Sequence, residues 1–218
     1  LKGDLKYPDS TGLLNVFAAE SRWFDYHLKG EDNGIMDEPA VSFYQMAAAR
    51  KDAASEHNGW QTAPNWPPPA EQTPYYLSGD DSLSVEPPAS ADASTTYAFD
   101  PENPVPTVGG PNLTLPMGPM EQREIGERDD YLRFATPVLE ADVAIQGPVR
   151  LDLYASTDAP DTDFMVKLVD VYPDGYEALI LDAPLRARYR NGRHADEIAM
   201  MTARGAPPMT VKLARPAQ

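Results

Sequence analysis

The sequence predicts a mainly β protein, a β-sandwich of jelly-roll type preceded by one amphipathic α-helix. Three observations carry this. Short runs between residues 131 and 190 alternate apolar and polar residues, the period of strands that bury one face. The 218 residues include 23 prolines, a density that opposes long helices and favours turns and edge strands. Residues 12–29, by contrast, space their apolar side chains as a helix does.

The helix comes first. Asp9, Ser10 and Thr11 offer side-chain oxygens to the free N–H groups of a helix start. Leu13, Phe17, Phe24 and Leu28 then fall on nearly one face. Lys29 suits the negative end of the helix dipole, and Gly30 suits a left-handed C-cap. One helix cannot bury such a face by itself, so its partner is expected elsewhere.

Strands follow. In "EPAVSFYQM", Pro39 stops any helix, and Val41, Phe43 and Gln45 alternate with Ser42, Tyr44 and Met46. The proline-rich crossing "WQTAPNWPPPAEQTPYYL" ends in a short strand, Tyr75 to Leu77. Residues 100–128 form a long irregular stretch, and loops of that length inside a domain usually serve a function or an inter-domain surface. "VRLDLYAS" points Val149, Leu151, Leu153 and Ala155 one way, and Arg150, Asp152 and Tyr154 the other. "DFMVKLVDVY" repeats the pattern through Phe164, Val166, Leu168 and Asp170. Pro173-Asp174-Gly175 then turns the chain into "ALILDAPLRARYR", with proline presetting φ and glycine taking the positive-φ position. No repeat period is visible.

Composition excludes several functions. Acidic residues outnumber Lys and Arg 34 to 18, for a net charge of -16, the wrong sign for a binder of phosphate backbones. No apolar run approaches the roughly 20 residues of a spanning helix. Without cysteine there are no disulfides and no thiolate zinc sites, which leaves both the cytosol and a bacterial envelope open. "LKGDLKYPDS" lacks the apolar core of a signal peptide, and the chain opens on Leu1 rather than methionine, so we expect a fragment of a longer chain.

The residues present do not assemble a complete active site. No Gly-x-Ser-x-Gly pentapeptide exists, and His27, His57 and His194 each lack a serine or carboxylate in a recognisable arrangement. Asp158, Asp161 and Asp163 could suggest calcium, but their spacing lacks the glycine and terminal glutamate of an EF-hand loop, and a solvated strand connection fits better. "ERDDYLRF" could pair Arg128 or Arg133 with Asp129 or Asp130. The sequon at Asn112 has meaning only in a glycosylating pathway. Trp60, Trp66, Tyr75 and Tyr76 could form a stacking platform, the mark of a carbohydrate- or protein-binding module.

Taken in order, "SRWFDYHLKGEDNGI", "EPAVSFYQM", "NWPPP", "TPYYLSG", "YAFDPENPVPTVGG", "DTDFMVKLVDVYPDG" and "RARYRNG" resemble the cocaine-esterase and X-prolyl dipeptidyl-peptidase family of serine hydrolases. The resemblance covers roughly residues 13–192 and includes the α-amino acid ester hydrolases. It implies that residues 1–30 are the last helix of an α/β-hydrolase domain, 31–72 an extended junction, and 73–218 part of a galactose-binding-like jelly roll. The family's serine, acid and histidine precede "WFDYHLKG", so the resemblance places the catalytic residues on a missing hydrolase domain, this chain's expected partner. Further C-terminal strands of the jelly roll are expected beyond this chain as well.

The implied parent reaction is acyl transfer from a small ester or X-Pro peptide through a serine acyl-enzyme, with no cofactor or metal. In the family the loop after the paired glycines approaches the active site. That makes Leu113, Leu115 and Met117 of "GGPNLTLPMG" the candidate substrate contacts. The alternative is that they pack against the jelly roll itself. The resemblance leaves the choice between ester and peptide, and the oligomeric state, open.

Overall fold

Helix α1, Val16–Lys29, ends as its sequence requires. Gly30 takes φ +72°, its N–H donates to Tyr26 O at 3.1 Å, and the Glu31 N–H reaches Asp25 O at 3.1 Å. Carbonyls of the last turn are thereby satisfied. The computed structural model describes residues 3–5, 16–47, 58–90, 94–113, 116–201 and 209–212, so the expected first turn at 12–15 lies outside the described residues. The apolar face of α1 is bare: Phe17 is 81 % exposed and Leu28 78 %, with Phe24 and Trp23 about half exposed. No helix among the described residues is long and apolar enough to cross a membrane.

The chain divides into two units, Leu1–Pro68 and Pro69–Gln218. In the first, Arg22 ties α1 to the acidic loop that follows it. Its guanidinium meets Glu38 at 2.6 Å, and its carbonyl accepts from Asn33 Nδ2 at 2.7 Å. A 3-10 turn, Ile35–Asp37, then leads into an antiparallel hairpin of β1 (Val41–Gln45) and β2 (Gly59–Ala63). Neighbouring residues on β1 face opposite ways. Phe43 therefore meets Trp66 edge-on at 5.4 Å, and Tyr44 meets Trp60 at 5.7 Å from the other face.

In the second unit, β3 (Tyr76–Leu77) and β4 (Leu83–Ser84) form a short hairpin. The sandwich is built from β5 (Arg150–Leu153), β6 (Asp163–Val171), β7 (Glu177–Arg186) and β8 (Met209–Lys212). β5 pairs antiparallel with β8, and β6 with β7, each a two-stranded ladder. The expected alternation holds on β5, where Val149, Leu151, Leu153 and Ala155 are half-buried while Arg150, Asp152 and Tyr154 are exposed. Val149 and Leu151 pack against buried Ala183, as do Val166, Leu181 and Leu185, so the apolar faces of the two ladders meet.

The β6–β7 turn is a three-residue loop with Gly175 at φ +81°. The Gly175 N–H donates to Tyr172 O, and the Tyr172 N–H donates to Tyr176 O, both at 2.8 Å. This is a turn followed by a left-handed residue, the usual solution at that loop length. A register shift between Leu168 and Val169 opposes Val169 to Leu179 and leaves Ile180 as the extra residue. The expected alternation stops there, and Asp170 is exposed while Val169 is half-buried. The run "RARYR" also leaves the strand, because Ala187–Tyr189 wind into a 3-10 turn whose Ala187 is fully buried with Met201.

Arginines fix the connections. Arg186 grips Asp163 through two bonds of 2.8 and 2.7 Å, and Arg188 meets Asp161 at 3.0 Å. Two of the three aspartates that suggested calcium are thus held by guanidinium groups. Arg128 takes Asp130 as expected, at 2.7 and 2.6 Å, whereas Arg133 reaches past Asp129 and Asp130 to Glu177. Hydrogen bonds from Arg128 and Arg186 hold the carboxyls of Asp130 and Asp163 below the usual carboxylate range, as Arg123 does for Glu121. Carboxyls with lowered folded pKa values stabilise the fold above their unfolded pKa and lose that contribution as protons bind. The melting temperature is expected to be level from neutral pH to about 5 and to fall once pH drops below about 4. A melting temperature that rises over that acid range would contradict this assignment.

Candidate functional site

The segment "TVGGPNLTLPMGPM" forms a loop with a closed neck. Gly110 and Gly118 exchange N–H to carbonyl bonds, both 2.9 Å, across the neck. The chain reaches this crossing only through left-handed backbone, with φ +71° at Gly109 and +88° at Gly110. A Cβ at Gly109 would stand 2.5 Å from Gly118 O, and one at Gly110 would stand 2.8 Å from Asp182 Oδ2. Glycine is the residue that fits both the dihedrals and the space. Inside the neck, Asn112 donates its N–H to Gly110 O at 2.9 Å and its side-chain amide to Gly109 O. The sequon asparagine is therefore engaged in the loop's own base.

The outgoing stem lies on β7. The Leu179 N–H donates to Met120 O at 3.3 Å, Glu121 bridges to Ala178, and the Glu177 N–H donates to Glu121 Oε1 at 3.0 Å. Gln122 follows and is 6 % exposed. Its side-chain NH2 donates to Val108 O on the incoming stem and to Met120 O on the outgoing one, each at 3.0 Å. Lys167 Nζ donates to Gln122 Oε1 at 2.7 Å, and because an ammonium only donates, this contact fixes which way the amide points. Lys167 stands opposite Asp182 in the β6–β7 register, on the face away from the apolar core. Burial pushes the Lys167 ammonium below its ordinary pKa, and the Asp182 carboxylate acts the other way.

Beyond the neck, Leu113 is 94 % exposed and Met117 46 %. Leu115 lies outside the described residues. An exposure of 94 % leaves the Leu113 side chain open to solvent. The loop thus offers apolar groups to solvent from a base that is pinned on both stems.

The histidines are placed differently. His27 contacts the rings of Trp23 and Tyr26 at 4.2 and 5.0 Å on α1, and His194 opens a turn in which its N–H donates to Glu197 at 2.9 Å. His57 lies outside the described residues. Trp60 and Trp66 contact rings on opposite faces of β1, which does not make one stacking platform. Sequence reasoning missed Gln122, Lys167 and Asp182. The available signal was a lysine and an aspartate on the polar face of two strongly alternating strands.

Comparison with known proteins agrees with this architecture. Residues 33–207 match the family described as the X-Pro dipeptidyl-peptidase C-terminal non-catalytic domain. The chain is 37 % identical over 182 residues to the cocaine esterase of Rhodococcus sp. (strain MB1 Bresler), a match covering 77 % of this chain and 30 % of that protein. It is 30 % identical over 167 residues to a Bacillus cereus protein named for Xaa-Pro dipeptidyl-peptidase activity, covering 73 % of this chain and 24 % of that one. A Mycobacterium tuberculosis protein named for serine esterase activity is 29 % identical over 182 residues, covering 78 % and 26 %. The chain spans less than a third of each of these relatives. A β-rich region with antiparallel ladders, a helix ahead of it and a match over residues 33–207 leads to one conclusion: the chain belongs to the X-Pro dipeptidyl-peptidase C-terminal domain family, the non-catalytic β-sandwich domain of bacterial hydrolases.

Proposed function

We propose that this chain is the accessory C-terminal region of an acyl hydrolase and forms one wall of that enzyme's substrate cleft. The observation that carries this is Leu113, 94 % exposed in a loop whose neck and stems are hydrogen-bonded. Ordering an apolar side chain in solvent stabilises nothing within the sandwich, whereas the same group set against a partner's cleft excludes water from a substrate. The bare face of α1 supports the same reading, since Phe17, Phe24 and Leu28 together offer a docking stripe for a catalytic α/β-hydrolase domain.

The nucleophile, general base and oxyanion donors belong to that catalytic domain. There a serine attacks an ester or X-Pro carbonyl, a histidine takes the serine proton and returns it to the leaving group, and water then releases the acyl group. This chain moves no proton; it holds Leu113 and Met117 where an acyl or leaving group would lie. The test is alanine substitution of both residues in the complete hydrolase, with melting curves alongside rates on a bulky and a small ester. Substrate contact changes the rates unequally without a matching loss of stability. Equal rate losses that track the folded fraction would contradict the proposal.

A further inference from the structure

The outgoing stem is bonded to β7 through Met120 O and Glu121, whereas the incoming stem at Val108 meets the outgoing stem through Gln122. The neck bonds between Gly110 and Gly118 hold the loop closed just beyond the two stems, so they open when the stems part. What ties the incoming stem to the outgoing stem, and both to β6, is the buried Gln122 amide. Its two N–H groups are used on Val108 O and Met120 O, and its oxygen is used on Lys167. Three elements distant in sequence meet at one side chain.

We infer that Gln122 is a positioning residue: its amide, oriented by Lys167, clamps both stems of the 110–118 loop and so sets which substrate groups Leu113 and Met117 can meet. This rests on the reading of the loop as a cleft wall. A side-chain amide serves here because the site needs two donors and one acceptor on a single flat group. Glutamate would keep the contact with Lys167 and lose both donors. Methionine would fill the space and lose all three bonds. Either change leaves the Val108 carbonyl unpaired beside a buried side chain, the costly way to lose a hydrogen bond, and leaves Met120 O with the Leu179 N–H alone.

The test uses the complete hydrolase carrying Gln122→Glu, Gln122→Met, Lys167→Met or Lys167→Arg. Amide hydrogen exchange is read at Gly110 and Gly118, with Leu168 and Leu181 of the β6–β7 ladder as controls. Losing two bonds is expected to speed exchange at the two glycines by roughly tenfold to a hundredfold, since each bond is worth about threefold to tenfold in a local opening equilibrium. The ladder amides should stay unchanged, and Lys167→Arg should restore protection that Lys167→Met removes. The ratio of kcat/KM between a bulky and a small ester should shift in the same variants. Unchanged exchange at Gly110 and Gly118 in both Gln122 variants would overturn the clamp. If Leu113→Ala shifts the ester ratio and the Gln122 variants do not, the positioning role fails while the cleft-wall reading survives. If neither shifts it, the cleft-wall reading fails too. Should a Gln122 variant unfold, the Lys167 pair decides, because it leaves the glutamine in place.

Discussion

Purified by itself, the 218-residue chain is expected to release p-nitrophenol from p-nitrophenyl esters no faster than a matched unfolded-protein control. Acyl transfer needs a serine beside a histidine base and donors for the oxyanion, and such a set gains its power from being held together. Among the described residues, His27 contacts two aromatic rings and His194 opens a turn, neither of which is a base poised over a nucleophile. Joined to the catalytic domain we propose for it, the same chain is expected to belong to an enzyme that accelerates the reaction by roughly 10⁶-fold or more. The contrast is therefore large and easily read. Saturable turnover by the chain alone, lost when one of its own serines is replaced, would contradict the assignment.

Replacing the bare face of α1 should have the next largest effect. Phe17→Glu, Phe24→Gln and Leu28→Lys keep good helix formers, and the new lysine sits favourably at the C-terminal end of the helix. In the isolated chain the triple variant is expected to sediment as a monomer at concentrations where the parent associates, because the exposed stripe is gone. In the complete hydrolase the same variant should be destabilised. Burying each such side chain is worth about 1.5–3 kcal/mol, so even partial docking gives a drop of several degrees in melting temperature. Unchanged melting of the complete enzyme would show that this face docks on nothing.

Local features were legible in the sequence. The end of α1 follows from Lys29-Gly30, and the β6–β7 turn from Pro173-Asp174-Gly175, since a few neighbouring residues settle each. Strands β5 and β6 were visible because burial of one face imposes a period of two. Long-range choices were not visible. Arg133 sits beside Asp129 and Asp130 in sequence yet pairs with Glu177, 44 residues away. The partner of β5 is β8, which no local pattern announces. Gln122 carries no motif at all; its role arises only when folding brings Val108, Met120 and Lys167 around it. The family's loop pointed to Leu113, Leu115 and Met117, but only the structure reveals the exposure of Leu113 and the hydrogen-bonded base.

The most direct measurement is the ratio of kcat/KM for a bulky and a small acyl ester in the complete hydrolase, compared between the parent and Leu113→Ala. A lost apolar contact is worth roughly 1–3 kcal/mol, so the ratio should change about tenfold where the bulky group had met Leu113. Because Leu113 is exposed on the sandwich, its removal should leave the melting temperature of the isolated chain unchanged. A shifted ratio with unaltered melting is the result this account predicts. An unchanged ratio at full stability would show that the loop does not wall the cleft.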